Sequence, residues 1–207
     1  MRKIKPSNEN EMIYEFLKME ISSDRFSKKI NTVLNEMRVD KLVITNGNLK
    51  SENENFLRAE ILRRFRGFNN EEIFENFPSK IDCFWTVFDR EDLPKMLYIE
   101  YSYWNELSGY TGSPLEAAKT ILAGKTVYDV PNDGAISGSK WLKAGNKFPP
   151  MIFLTDKSES RYIILEGHGR MTAYGLVPDL FQNVPALLGY CETEELKKWY
   201  GEMPVRT

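Results

Sequence analysis

The chain has 207 residues, of which 42% are hydrophobic and 28% are charged. These values are typical of a globular protein, so they exclude a disordered or fibrous chain, and the length suffices to bury a core in one or two domains. With 28 basic and 30 acidic residues the net charge is −2, which makes a small molecule a stronger expectation as partner than DNA.

The two cysteines, Cys83 and Cys191, stand far apart and follow neither a metal-ligand spacing nor a disulfide-rich pattern. This usage indicates a reducing compartment. No apolar stretch reaches membrane-spanning length, and the first residues lead into polar ones instead of a signal-peptide core. We therefore expect a cytoplasmic protein with no membrane partner, while its oligomeric state stays open.

Residues 1–95 are predicted to form a mainly helical region. Apolar residues with helical spacing follow candidate caps at residues 7–8 and 22–24, which predicts two helices. A third helix is predicted over 55–65 and a fourth over 70–77. Residues 80–88, rich in β-branched and aromatic side chains, predict a strand. The sequence assigns no role to this region.

Residues 96–207 predict a mixture of helices and strands. A strand is predicted over 96–104, and a proline at the first helical position predicts a helix over 114–122. The polar segment 125–147 is predicted to be rich in loops, and two apolar runs within 151–165 predict a β-hairpin. The fold class predicted for the whole chain is α+β.

The most informative motif is a short run of charged residues and glycines. An apolar stretch ends at Glu166, passes Gly167 and Gly169 on either side of the only histidine, His168, and continues as a helical pattern from Arg170. This order predicts a strand, a tight turn and a helix N-terminus, whose unpaired N–H groups and dipole attract phosphate. The glycines would let the backbone approach a phosphate group, and the arginine would add a forked donor. The alternative is a turn whose glycines satisfy only a positive φ and whose arginine is solvated.

A second candidate site lies in the predicted loop over residues 133–141. Its small and hydroxyl-bearing residues Ser137 and Ser139, with Lys140 beside Trp141, could wrap a phosphate and stack a ring. The loop lacks the spacing of a Walker motif. A plain surface loop is the alternative.

A cluster of basic residues occupies the third predicted helix: Arg58, Arg63, Arg64 and Arg66. Nearby glutamates favour a solvated, salt-bridged face over an anion-binding patch. The aromatic residues between 84 and 104 are interpreted as core and strand packing.

The segment 166–173, Glu-Gly-His-Gly-Arg-Met-Thr-Ala, resembles the acidic-Gly-x-x-Arg-x-x-Ala signature of the ParB/sulfiredoxin-like fold. Its flanks resemble the same family: a Pro-Pro and a strand over 148–154 precede it, and a strand and an acidic helix over 184–195 follow it. The family includes chromosome-partition CTPases, sulfiredoxin and ParB-like free-serine kinases. The resemblance covers residues 113–200 and implies a mixed-sheet, nucleotide-binding domain over 96–207.

The resemblance is greatest to the kinases. The motif has no counterpart of the catalytic cysteine of sulfiredoxin, and no DNA-binding helical domain like that of the partition CTPases follows it. It departs from the kinase turn at Gly169, where a second histidine would match better. The resemblance therefore implies phosphoryl transfer from a nucleotide, with ATP or ADP favoured over CTP, to a small hydroxyl-bearing acceptor.

Each candidate residue has a role under this hypothesis. Glu166 or His168 would accept the proton of the acceptor, and Glu166 is the candidate ligand of Mg²⁺. The expected phosphate-binding residues are Gly167, Gly169, Arg170, Met171, Thr172, Ser137, Ser139 and Lys140. The alternatives are a non-catalytic nucleotide sensor, a DNA-associated regulator that uses the same pocket, and a ParB-like nuclease.

Overall fold

A computed structural model describes residues 1–68 and 72–201. Its strands are β1 (Arg2–Pro6), β2 (Asp82–Phe88), β3 (Met96–Tyr98), β4 (Met151–Thr155), β5 (Tyr162–Glu166) and β6 (Val184–Tyr190). They form one sheet in the order β1-β2-β6-β4-β5-β3. β3 pairs in parallel with β5, and β4 pairs in parallel with β6, whereas the other neighbours are antiparallel. The ends of β3 and β5 therefore meet at one edge of the sheet.

Helices cover both faces of this sheet. They are α1 (Glu9–Ile21), α2 (Ser27–Met37), α3 (Leu42–Thr45), α4 (Glu52–Arg66), α5 (Ser102–Leu107), α6 (Pro114–Leu122), α7 (Asp133–Lys143), α8 (His168–Leu176) and α9 (Thr193–Tyr200). Helices α1, α2 and α4 pack with one face of the sheet, and α6, α7 and α8 pack with the other. Because both faces are covered, all residues of β4 and most of β5 are buried. The α+β class is confirmed.

The helices of the first half begin and end where the sequence places caps. Asn8 accepts the N–H of Glu11 at the start of α1, and Ser51 caps α4 in the same way. α4 ends at Gly67, whose φ of 73° is left-handed. The helices predicted at the positions of α1 and α4 are confirmed, and so is the strand predicted at the position of β2.

The predicted division at residue 95 does not correspond to a break in the sheet. β1 and β2 come from the first 95 residues, yet β2 pairs along its whole length with β6. The description of this region as mainly helical missed β1, whose side chains are all exposed and so lack the apolar alternation of a half-buried strand.

Three predicted elements need correction. The strand predicted over 96–104 ends at Tyr98, and α5 begins at Ser102. The predicted fourth helix is only a 3₁₀ turn over Glu72–Phe74, and residues 70 and 71 lie outside the described residues. The loop-rich segment 125–147 contains α7, which its glycines and serines concealed because they have low helix propensity. None of the helices in the described ranges is long and apolar enough to cross a membrane.

Candidate functional site

The strand, turn and helix predicted around residue 167 are present as β5, Gly167 and α8. Gly167 has a φ of 108°, and a Cβ added to it would lie 2.6 Å from Cγ of Met151, so only glycine fits there. Gly169 differs, because an added Cβ would meet no atom within 4 Å and the residue is exposed. The first turn of α8 is therefore open to an approaching group at Gly169.

Arg170 is bound by the protein itself. Its Nη1 donates to the carbonyl oxygens of Pro149 and Pro150, each at 2.8 Å, and its Nη2 forms an ion pair with Glu166. The side chain is only 15% exposed. The guanidinium group that the motif assigns to a phosphate is therefore held by protein groups, among them the carboxylate four residues earlier. Arg170 clamps the residues before β4 to the start of α8.

Glu166 is the other half of this clamp. Burial raises the pKa of its carboxyl group, while the charge and hydrogen bond of Arg170 and the N–H of Gly167 lower it. A carboxylate held in this way has few lone pairs left for a metal ion. No group of three or more His, Cys, Asp or Glu residues able to hold a metal ion occurs within residues 1–68 and 72–201. Glu166 thus fits a structural ion pair better than a magnesium ligand.

His168 is a neutral, stacked ring. It stacks on Trp104 at 5.3 Å and on Tyr98 at 5.9 Å between ring centroids. Burial, followed by the charges of Arg66, Arg170 and Arg25, lowers its pKa to about 3. Its Nε2 is buried and has no hydrogen-bond partner in the described part of the chain. The ring is therefore too weak a base to accept a proton near neutral pH, but it can form one more hydrogen bond.

Met171 and Thr172 support the turn from inside. Met171 is fully buried, and its N–H donates to the carbonyl of Gly167 at 2.9 Å. Thr172 Oγ1 donates to the carbonyl of His168 at 2.8 Å and lies 2.7 Å from the hydroxyl of Tyr98. Neither residue can reach a phosphate in front of the helix, so their predicted role is corrected to packing.

Ser137, Ser139 and Lys140 do not form a loop. All three lie on α7, where Ser139 Oγ donates to the carbonyl of Ile136 at 2.8 Å and the other two side chains point to solvent. α7 packs closely against α8 because Gly138 has no side chain: an added Cβ would lie 2.9 Å from that of Ala173. The predicted phosphate-wrapping loop is absent because its residues are helical.

The arginines of α4 divide into three kinds. Arg63 and Arg64 pair with Glu60 on the surface, as the salt-bridged interpretation predicts. Arg58 is fully buried and donates to the carbonyls of residues 43 and 48 at 2.8 and 3.1 Å. Arg66, the last residue of α4, is one of the charges that depress the pKa of His168.

Arg66 and Arg25 form a basic patch that the sequence did not reveal. Both guanidinium groups lie 4.8 Å from the ring centroid of Phe26, which positions them together. Arg66 has a long ion pair with Glu72 at 3.6 Å, and its Nε lacks a partner among the residues described. The patch and α8 belong to segments about 100 residues or more apart, so no local motif could connect them.

Glu20 is a second residue that motif analysis missed. It lies in the last turn of α1, it is only 7% exposed, and no hydrogen bond contributes to the state of its carboxyl group. Burial and the charge of Glu166 raise its pKa to about 7, against the lowering effect of Arg66, Arg25 and Arg170. The sequence does contain a signal for Glu20, because this charged residue continues the apolar face of Ile13, Phe16 and Leu17.

A cleft adjoins the basic patch. It has a volume of about 370 Å³, and its lining includes Glu72, Glu100, Tyr101 and Trp199. Tyr101 is 40% exposed. Burial raises the pKa of its hydroxyl group, and the charges of Arg66 and Arg25 lower it. The cleft and the patch meet at Glu72, which lines the cleft and pairs with Arg66.

Comparisons of the chain with protein-family models, with curated proteins and with solved structures found no match.

Proposed function

We propose that residues 96–207 form a ParB/sulfiredoxin-like domain that binds a nucleotide, ATP or ADP in preference to CTP, and transfers a phosphoryl group to a small hydroxyl-bearing acceptor. The observation that carries this proposal is the open first turn of α8 at Gly169, beside the basic patch of Arg25 and Arg66. The order of elements from β4 through α9 supports the fold assignment, because it matches the strand, turn, helix and strand of the motif and its flanks.

The first turn of α8 supplies two of the features that a phosphate needs. A helix leaves its first N–H groups without intrahelical acceptors and carries partial positive charge there. The N–H groups of His168 and Gly169 belong to this turn, and the missing side chain at Gly169 lets a phosphate oxygen approach them. The patch adds permanent positive charge, and Nε2 of His168 adds an unused hydrogen-bonding atom.

The adjoining cleft can take the rest of a nucleotide. Small-molecule sites usually have volumes of roughly 300–1,000 Å³, and this cleft has about 370 Å³. Tyr101 lines the cleft and presents a partly exposed ring on which a base could stack. A nucleotide in this position would place its phosphates at α8 and its base beside this ring.

Phosphoryl transfer needs mainly positioning and charge neutralisation. Arg25, Arg66 and the N–H groups of α8 would neutralise the phosphates, while the Glu166–Arg170 clamp would keep the turn rigid. The residues present do not fit a resident magnesium ion, because Glu166 is committed to its arginine. A magnesium ion would have to arrive on the phosphate oxygens of the nucleotide.

A nucleotide sensor without turnover is the second candidate. The two proton acceptors expected from the motif are unsuited to catalysis, which favours a sensor. Glu166 is paired with Arg170, and His168 has a pKa of about 3. DNA is a weaker alternative, because the net charge of −2 supplies no general attraction to a phosphate backbone.

Calorimetric titration of two variants at Gly169 tests where the phosphates bind. Gly169→Asp fits the open position and favours the helix start through the dipole, but its charge should repel a phosphate. We expect about tenfold or more weaker binding of ATP and ADP by Gly169→Asp, and a change below about threefold for the neutral Gly169→Asn. Equal affinity of wild type and both variants would contradict phosphate binding at α8. ADP release from ATP then distinguishes the enzyme from the sensor.

A further inference from the structure

We propose that the exposed face of α7, together with a small cleft beside its last turn, binds a short stretch of single-stranded RNA. This activity is separate from the nucleotide site at the first turn of α8, and it does not depend on the function proposed above. A local excess of positive charge, which the net charge of −2 conceals, first distinguishes this surface.

The end of α7 and the residues after it are rich in unpaired lysines. Residues 134–155 include Lys140, Lys143 and Lys147 but no aspartate or glutamate. All of these lysines are exposed, and their ammonium groups have no ion pair within the described ranges of the chain. Lys140 and Lys143 stand i, i+3 on one helix and therefore share a face. Charges distributed along a helix in this way suit a chain of phosphates better than a single phosphate.

An exposed tryptophan belongs to the same face of α7. Trp141 is 53% exposed, whereas tryptophan side chains are usually well buried. The helix dipole accounts for lysines in the last turn of α7, but it does not account for this ring. The opposite side of the helix is occupied, because Leu142 enters the core and Gly138 lies against Ala173 of α8. The ring is thus left for a partner, and an aromatic ring among cationic side chains is typical of surfaces on which unpaired bases stack.

A small cleft opens beside the last turn of α7. It has a volume of about 160 Å³, and its lining includes Asn146, Lys147, Gln182 and Asn183. The volume is below the roughly 300–1,000 Å³ of small-molecule sites, so the cleft suits one group of a larger ligand. The side chain of Asn146 donates to the carbonyl of Trp141 at 3.1 Å, which joins the cleft to the exposed face.

Amide side chains at this cleft have hydrogen-bonding atoms to spare. Gln182 Nε2 donates to the carbonyl of Asp179 at 3.0 Å, so its Oε1 is available as an acceptor. The side chain of Asn183 is exposed and has no hydrogen bond to any residue that the structure describes. Because an amide both donates and accepts, such groups can bind the edge of a base or the 2′-hydroxyl group of a ribose.

Single-stranded RNA fits this surface better than other anionic partners do. Cellular DNA is mostly duplex and keeps its bases stacked, whereas RNA presents unpaired bases and 2′-hydroxyl groups. A helix that lies on a membrane needs a continuous apolar face, but the large apolar residues exposed on α7 are Ile136 and Trp141 alone. An acidic peptide would pair with the lysines and leave the amides of the cleft without a role. A second copy of the chain would bring like charges together.

Fluorescence anisotropy with a labelled, unstructured RNA of about ten nucleotides tests the role of the ring. We expect saturable binding by the wild type, about tenfold weaker binding by Trp141→Ala, and nearly full affinity in Trp141→Phe, which keeps an aromatic ring. Phe56→Ala is the matched control, because Phe56 is 69% exposed on α4, at the other face of the sheet. Absence of RNA binding by the wild type, or wild-type affinity in Trp141→Ala, would overturn the proposal.

The salt dependence of the same binding tests the lysines. For single strands the logarithm of the affinity falls with the logarithm of salt concentration with a slope of about −0.7 per phosphate contact, so the lysines of this face predict about −2. Combined Lys140→Gln, Lys143→Gln and Lys147→Gln substitutions should bring the slope close to zero. Combined Lys41→Gln and Lys50→Gln substitutions, at exposed lysines of the first half, should leave it unchanged. A slope that the first set leaves unchanged would contradict RNA binding at α7.

Competition experiments identify the site and the class of partner. Excess ADP should leave RNA binding unchanged, because the cleft beside α7 is lined by Tyr174 near the end of α8, whereas Gly169 lies in its first turn. A DNA strand of the same sequence should bind about threefold or more weakly than the RNA. Displacement of the RNA by ADP would place it at the nucleotide site and refute the assignment to α7. Tighter binding of the DNA, of anionic phospholipid vesicles or of polyglutamate would refute the assignment to RNA.

Discussion

Replacement of Glu20 by glutamine should stabilise the protein, and only above a defined pH. The pKa of Glu20 rises from 4.5 in the unfolded chain to about 7 in the folded protein. The folded state therefore binds this proton more tightly, so the favourable contribution is complete below pH 4.5 and is lost as the pH rises through about 7. One pKa unit corresponds to about 1.4 kcal/mol, so ionised Glu20 should cost roughly 3 kcal/mol of the free energy of unfolding.

Urea unfolding of wild type and Glu20→Gln between about pH 4.5 and pH 8.5 measures this difference. The two proteins should be almost equally stable at the acidic end, and the variant should be more stable by roughly 3 kcal/mol at the basic end. That difference corresponds to a rise on the order of 10 °C in melting temperature for a chain of this size. The exposed control Glu36→Gln should show no such trend. Parallel pH profiles for Glu20→Gln and wild type would refute the unfavourable ionisation of Glu20.

Four further substitutions test the packing around the site and in the first helices, and urea unfolding measures each. Gly167→Ala should cost roughly 2 kcal/mol or more because of its φ of 108° and its contact with Met151, whereas Gly169→Ala should be neutral or stabilising by about 0.5–1 kcal/mol. Arg170→Met should cost about 3–5 kcal/mol, since it leaves the buried carboxylate of β5 unpaired; a loss below about 0.5 kcal/mol would restore the solvated-arginine interpretation. Arg58→Met should cost a similar amount because two backbone carbonyls lose their donor, and an unchanged midpoint would show that this buried cluster is dispensable.

The elements with strong local signals could be predicted from the sequence. α6 begins at Pro114, where a proline needs no hydrogen-bond partner, and α1 follows its cap at Asn8. The turn at Gly167 also has a local cause, because the conformation needed between β5 and α8 excludes a side chain. These features are determined by residues that are adjacent in the sequence, so the local sequence is enough to predict them.

α7 and β1 could not be predicted because their stability comes from distant contacts. The glycines and serines of α7 favour a loop locally, and close packing against α8 at Gly138 overrides that preference. β1 is held by pairing with β2, more than 70 residues away. Secondary structure that depends on tertiary partners leaves little trace in local composition.

The candidate site was predicted in part for the same reason. The motif identified the turn, but it gave Arg170 a free guanidinium group because the carbonyls of Pro149 and Pro150 are not adjacent to it in sequence. Arg25, Arg66 and Glu20 join the site only through the packing of the first helices on the sheet. Among these three residues, only Glu20 has a sequence signal, because it is a charged residue on the apolar face of α1.

A titration of the ¹⁵N-labelled protein with ADP, followed by amide chemical shifts, tests the central claim most directly. If the phosphates bind at the start of α8, the amide signals of His168 and Gly169 should move most and saturate together with that of Tyr101 beside the cleft. In Gly169→Asp the signals of His168 and Tyr101 should move less at equal ADP concentrations, and they should saturate only at about tenfold or more higher ADP. Saturable shifts confined to other elements, with those of α8 unaffected, would contradict nucleotide binding at this turn.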